Sequence, residues 1–162
     1  MGALKPEEES EDADMRSSSV SGVPPSHGKH PRSGPAPRPP RILVADPDQQ
    51  VRDWLRRPLS QLAADVCEAK SGLELEAFLR QKGPFDLVIT NAQLPAQSGL
   101  QVLARARAQG KMTPFIVVTS IYQTLLRVFV SDAEGTVLSS RMVDGENLTV
   151  LASTLIARSR KT

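Results

Sequence analysis

Cysteine is almost absent: Cys67 stands alone in 162 residues, so neither an internal disulfide nor a cysteine-rich metal site can form. That suits a reducing compartment, and Cys67 reads as a small core hydrophobe. No run of about eighteen apolar residues occurs, and no apolar stretch followed by small residues opens the chain, which excludes a membrane span and a secretory signal. Pro6 stands where N-myristoylation of Gly2 would need a hydroxyl residue. Both histidines, His27 and His30, lie in the leading segment with no thiol or carboxylate nearby, so no metal site and no Ser-His-Asp or Cys-His set is expected. Glycine is missing where a phosphate loop would need it, because the first apolar run passes straight into Asp46-Pro47-Asp48. A cytoplasmic protein without cofactor is expected.

Strong charge of either sign is also lacking. Twenty Lys and Arg face eighteen Asp and Glu, and the surplus falls in residues 42–162, with fourteen against twelve, while residues 1–41 balance at six and six. Neither part is basic enough to indicate nucleic acid. Eight of the thirteen prolines fall in residues 1–41. This stretch runs from Glu7-Glu8-Glu9-Ser10-Glu11-Asp12 through Ser, Gly and Pro to Lys29, Arg32, Arg38 and Arg41, with almost nothing apolar to bury. A disordered leader over 1–40 is expected, a tether with room for weak charged contacts. Its Pro35-Ala36-Pro37-Arg38-Pro39-Pro40 suits a semi-rigid spacer.

Residues 41–160 have the texture of one α/β domain. Short apolar runs at Ile42–Ala45, Asp65–Ala69, Leu87–Thr90, Phe115–Val118 and Thr136–Ser139 alternate with amphipathic stretches, as in a βαβ series. The first, third and fourth runs are continuously apolar, which a parallel strand covered on both faces requires, so they should form the sheet's centre. Helical spacing joins Val51, Trp54, Leu55, Leu59 and Leu62, then Leu75, Phe78 and Leu79, then Leu100, Leu103 and Ala104, and finally Leu148, Leu151, Leu155 and Ile156. Pro58 should kink the first helix or split it. A doubly wound, flavodoxin-like, five-stranded parallel sheet in the order 2-1-3-4-5 follows, with ligands expected beyond the carboxyl ends of the strands. Asp46, Asn91, Thr119, Ser120 and Arg141 stand there.

Ile42-Leu43-Val44-Ala45-Asp46-Pro47-Asp48 with Arg52, Phe85 to Asn91 followed by Leu94-Pro95 and Ser98-Gly99-Leu100, and Pro114 to Thr119-Ser120 together resemble the receiver domain of bacterial response regulators. Active receivers hold magnesium between an acidic pair after the first strand and a phosphorylatable aspartate after the third, and the ion requires hard oxygen ligands. On this resemblance Asp46 fills the first acidic position, Pro47 the second, and Asn91 the phospho-acceptor position. A neutral carboxamide is a poor nucleophile and offers no charge to a metal, so phosphorylation of Asn91 is not expected. Asp48 is one residue farther into the turn, as a substitute ligand restricted by Pro47.

The resemblance further places the family's lysine on Arg141, its proline partner on Met142, the switch hydroxyl on Thr119 and the switch aromatic on Leu138. A cis bond before Met142 would cost about 2.5–4 kcal/mol, so trans is expected. Arg141 is expected to pair with Asp46 and to hydrogen-bond the Asn91 carbonyl, fixing the pocket in one state. The alternative is that these groups face solvent at loop tips.

Ile121 to Val130 reads as a helix apolar on more than one face, Leu125 and Phe129 on one stripe and Leu126 and Val130 on the next. It marks Tyr122, Leu126, Val130 and Leu138 as interface candidates. The leading expectation is a degenerate receiver that binds protein partners through the helix-four and strand-five face, without enzymatic activity, nucleic acid or membrane, and compatible with a homodimer. With no output domain after Arg160, its effect is expected to pass to a partner. Response to a phosphodonor or small ligand through Asp46 or Asp48 is the alternative. A small flavodoxin-like enzyme is disfavoured by the missing glycines and anionic nucleophile.

Overall fold

The chain divides into two units, Met1–Pro37 and Arg38–Thr162. A computed structural model describes residues 36–121, 124–141 and 143–161. The disorder expected for residues 1–40 therefore falls, apart from 36–40, outside the described residues, as do Tyr122 and the peptide bond expected at Met142.

Five strands, β1 (Arg41–Ala45), β2 (Asp65–Ala69), β3 (Leu87–Asn91), β4 (Phe115–Thr119) and β5 (Thr136–Ser139), form one parallel sheet in the order β2-β1-β3-β4-β5. The expected topology is the one observed. Between them run α1 (Gln49–Leu59), α2 (Gly72–Gln81), α3 (Gly99–Ala108), α4 (Thr124–Asp132) and α5 (Gly145–Ser159). The period of two along each strand divides the core into two layers. Leu43, Val88, Phe115 and Val117 pack with Leu75 of α2, Leu103 of α3 and Val130 of α4. Ile42, Val44, Ile89 and Ile116 face the other way, onto Leu55 and Leu59 of α1 and Leu148 and Ile156 of α5. Each such side chain, fully buried, contributes about 1.5–3 kcal/mol of apolar transfer.

Capping fixes where helices begin. Asp48, Ser71, Ser98 and Asp144 are N-caps whose side chains accept from backbone N–H groups of the first turn, and Ser98 with Gln101 forms a reciprocal capping box. Two of the starts need glycine for space, since a Cβ on Gly72 would lie 1.7 Å from the Gln97 carbonyl oxygen and one on Gly99 only 2.3 Å from that of Asn91. Pro58 ends α1 rather than bending it sharply: the helix stops at Leu59 and tightens into a 3₁₀ turn over Ser60–Leu62.

Two helical stripes differ from expectation. In α1 the buried positions are Arg52, Leu55, Pro58 and Leu59, while Trp54 points outward at 39% exposure. Arg52 joins the buried stripe, which leaves Trp54 out, because its charge finds partners inside. In α4, which starts at Thr124 rather than Ile121, Val130 is fully buried and Leu126 half-buried against the α2–α4 layer. The outward residues are Leu125, Val128 and Phe129, at 81%, 52% and 42% exposure. Val130 is therefore a core residue and not an interface residue, a correction that follows from the helix phase, while Leu126 stands half-buried beside the core.

Candidate functional site

The carboxyl ends of β1 and β3 bring Asp46 and Asn91 together. Asp46 follows β1 directly and is buried, its N–H bonded to the Ala69 carbonyl of β2 at 3.1 Å. One of its carboxylate oxygens accepts the Asp48 N–H at 2.8 Å. The other accepts the Asn91 side-chain amide at 2.9 Å. The Asn91 amide oxygen in turn accepts the Gln93 N–H at 2.8 Å, so the carboxamide is held by its neighbours at both ends.

Arg52 closes this loop from below. Its guanidinium is 3% exposed and donates to the Asp46 carbonyl at 2.7 Å and to the Pro47 carbonyl at 3.3 Å, while pairing with Glu68 of β2 at 3.0 Å. A buried arginine so satisfied braces the β1–α1 turn. Its role was not read from the sequence, although two signals existed: its phase with Leu55 and Leu59, and a glutamate on the neighbouring strand.

The other expected site residues are placed less centrally. Asp48 is exposed and caps α1, its carboxylate accepting the Gln50 N–H at 2.8 Å. Thr119 is buried at the end of β4, where its hydroxyl accepts from Ile121 N–H at 3.1 Å and donates to the Ile121 carbonyl at 3.2 Å. Leu138 is half-buried against the α1–α5 layer. Arg141 is exposed and, among the described residues, makes no ion pair or hydrogen bond with Asp46 or Asn91. The expected Arg141–Asp46 pair is thus corrected: the Asn91 amide and the Asp48 N–H already engage the carboxylate.

The donor set does not fit a divalent cation. Magnesium needs several hard oxygens, but Pro47 offers no side-chain oxygen, Asp48 is committed to a cap and Asn91 turns N–H toward Asp46. Among the described residues no three His, Cys, Asp or Glu side chains cluster to hold a metal.

A second polar cluster, unforeseen from the sequence, occupies the opposite edge of the sheet. Asp86, just before β3 and 4% exposed in its side chain, accepts both Arg38 guanidinium nitrogens at 2.8 and 3.0 Å, the Arg41 N–H at 2.8 Å, and Arg160 at 3.1 and 3.2 Å. Burial pushes its pKa up, but the hydrogen bonds from Arg160, Arg41 and Arg38 and the charge of Arg160 prevail, leaving the carboxyl at about 2 instead of 3.8. Arg160 is raised in return, first by its hydrogen bond to Asp86.

Known proteins share this architecture. The family model for the response regulator receiver domain matches residues 42–141. A response regulator MprA of Mycobacterium sp. strain KMS is 37% identical over 82 residues, 51% of this chain and 35% of that protein. One from Mycobacterium avium strain 104 is 35% identical over 80 residues. The chain spans about a third of the length of these curated relatives. Among solved structures, the signal receiver domain of an HD domain-containing protein from Pseudomonas fluorescens Pf-5 superposes with a TM-score of 0.70 at 25% identity, over 77% of this chain and 100% of that one. The Francisella response regulator 1452 receiver domain gives 0.69 at 20% identity, over 74% and 98%. By its sequence match from β1 to the turn after β5 and by its strand order, this chain belongs to the response regulator receiver domain family.

Proposed function

We propose that this receiver domain signals without phosphorylation, as a protein-binding module whose pocket is held in one state by its own side chains. The observation that carries the reading is the 2.9 Å hydrogen bond from the Asn91 amide to Asp46. It puts a neutral N–H donor where an acyl phosphate would require an anionic oxygen. With both Asp46 oxygens engaged and Arg52 bracing the turn behind them, the pocket supplies no nucleophile and no cation cradle. Recognition rather than chemistry is then its output, in the cytoplasm, with residues 41–160 as the recognition unit and 1–40 as its leader.

The partner surface we assign is the outer side of α4 with β5. Leu125 and Val128 are exposed there, Phe129 is exposed on the side toward Leu100 and Ala104 of α3, and a groove of about 530 Å³ runs between Val128 and Ser131 of α4 and Thr136 and Val137 of β5. Apolar residues grouped on one helix face mark a protein contact.

Magnesium and beryllofluoride titration of the full chain, followed by amide chemical shift, tests the pocket reading. No saturable shift at the ends of β1, β3 and β4 is expected. Saturable shifts there would overturn it and make Asp46 and Asp48 working ligands.

A further inference from the structure

We infer that the groove between the second halves of α2 and α3 docks a short acidic peptide segment of a protein partner, on a surface that α4 does not line and independently of the pocket reading. Its floor is apolar, made by half-buried Leu79 of α2 and by Val102 and Ala106 of α3, both buried. Its rim is basic: Arg80 stands on α2, Arg105 on α3, and Lys111 just beyond α3. One carboxylate lies among them, that of Glu76, and Arg105 already holds it at 3.1 Å. Arg80 and Lys111 keep unmatched charges, since among the described residues neither side chain makes an ion pair or a hydrogen bond.

Size and charge together define the occupant. The groove holds only about 20 Å³, far below the roughly 300 Å³ or more that a small-molecule ligand occupies, so it takes a side-chain tip and no more. Helix dipoles favour a cation in the last turn, and on α3 Arg105 and Arg107 already meet that preference. Lys111, beyond the helix, is surplus to it. A lone cation on each side of an apolar floor matches a peptide that carries carboxylates on both sides of an apolar residue, with charge-assisted hydrogen bonds from Arg80 and Lys111. Nucleic acid fits this groove less well, because its phosphates repeat along a continuous stripe and Glu76 would stand in their path.

Fluorescence anisotropy of a labelled octapeptide, Glu-Glu-Leu-Glu-Glu-Leu-Glu-Glu, titrated with the full chain tests this, and amide chemical shifts locate the contact. Saturable binding is expected, with the shifts concentrated in residues 76–82 and 102–111. Arg80→Glu combined with Lys111→Glu should weaken binding by about tenfold or more through like-charge contacts. Lys70→Glu, at an exposed cation on the opposite edge of the sheet, should change it by less than about twofold. Thermal unfolding at the wild-type temperature shows that the variants fold, and the shift map on the wild type does not depend on them. Absence of saturable binding overturns the inference, as do shifts that fall outside the two helices or a loss as large from Lys70→Glu. So does an eight-nucleotide oligothymidylate that binds as tightly as the peptide, or a peptide with serine for both leucines that binds no more weakly.

Discussion

Asp46 offers two acceptor oxygens, and the chain supplies two neutral N–H groups to meet them, one from the backbone two residues on and one from the Asn91 amide. Replacing that amide by a carboxylate would turn an attractive contact at 2.9 Å into a like-charge one, with the guanidinium of Arg52 bonded to the turn carbonyls and Glu68 instead. Asn91→Asp is therefore expected to destabilise the fold by about 1–3 kcal/mol in metal-free buffer. Thermal unfolding checks this, with magnesium raising the variant's Tm and not the wild type's; a variant as stable as wild type without metal would show that position 91 does not constrain Asp46. Asp46 and Asn91 were legible in the sequence because each directly follows a continuous apolar run, and the end of a parallel strand fixes where such a residue stands. Arg141 was not, since it follows a short strand in a turn whose direction no periodicity sets. Arg52 was hidden for the opposite reason: a charge on an apolar stripe looks like an error of phase until Glu68 and two carbonyls are seen to meet it.

Helix α4 shows how phase decides which apolar residues are available. Leu125 and Leu126 are neighbours in sequence, yet the helix turns the first to solvent and sets the second against the core, and the same holds for Phe129 and Val130. Val130 also touches Gly135, where an added Cβ would come within 2.7 Å of it, so the turn before β5 is built around its side chain. Two opposite outcomes are expected. Val130→Ala should cost about 1–3 kcal/mol in urea unfolding through the cavity it leaves, whereas Leu125→Ser with Phe129→Ser should change stability by no more than about 0.5 kcal/mol and abolish capture of the protein partner. Capture that persists with both side chains removed would move the partner surface off α4. The sequence made the apolar excess of this segment visible but not its rotation, because four apolar residues in two adjacent pairs satisfy more than one helical stripe. The strands carried no such ambiguity: burial on both faces favours a continuous apolar run, and Leu87 to Ile89 of β3 and Phe115 to Val118 of β4 show it.

Across the molecule, Asp86 ties together parts of the chain that no local rule brings near. Arg38 precedes β1 and Arg160 caps the end of α5, 122 residues later, yet the Arg160 guanidinium reaches both the Asp86 carboxylate and the Arg38 carbonyl, at 3.1 Å to each. In the sequence Asp86 is one polar residue before an apolar run, and only closure of the fold gives it three donors. Its consequence is a pH dependence of stability. Folded, the carboxyl titrates at about 2; unfolded, at 3.8, so on acidification the unfolded chain takes up the proton first. The stabilisation is therefore complete above about pH 4 and drains away as pH falls toward about 2, its size on the order of 2 kcal/mol. Arg38 is 52% exposed, so solvent screening trims its share and Arg160 with the Arg41 N–H carry more of it. Urea unfolding should find Asp86→Asn less stable than wild type by about 2 kcal/mol near neutrality. That gap should narrow steadily between about pH 4 and about pH 2 as the wild-type carboxyl protonates. A gap that stays constant over that range would mean the carboxylate's charge is not what holds Arg38 and Arg160 to the sheet.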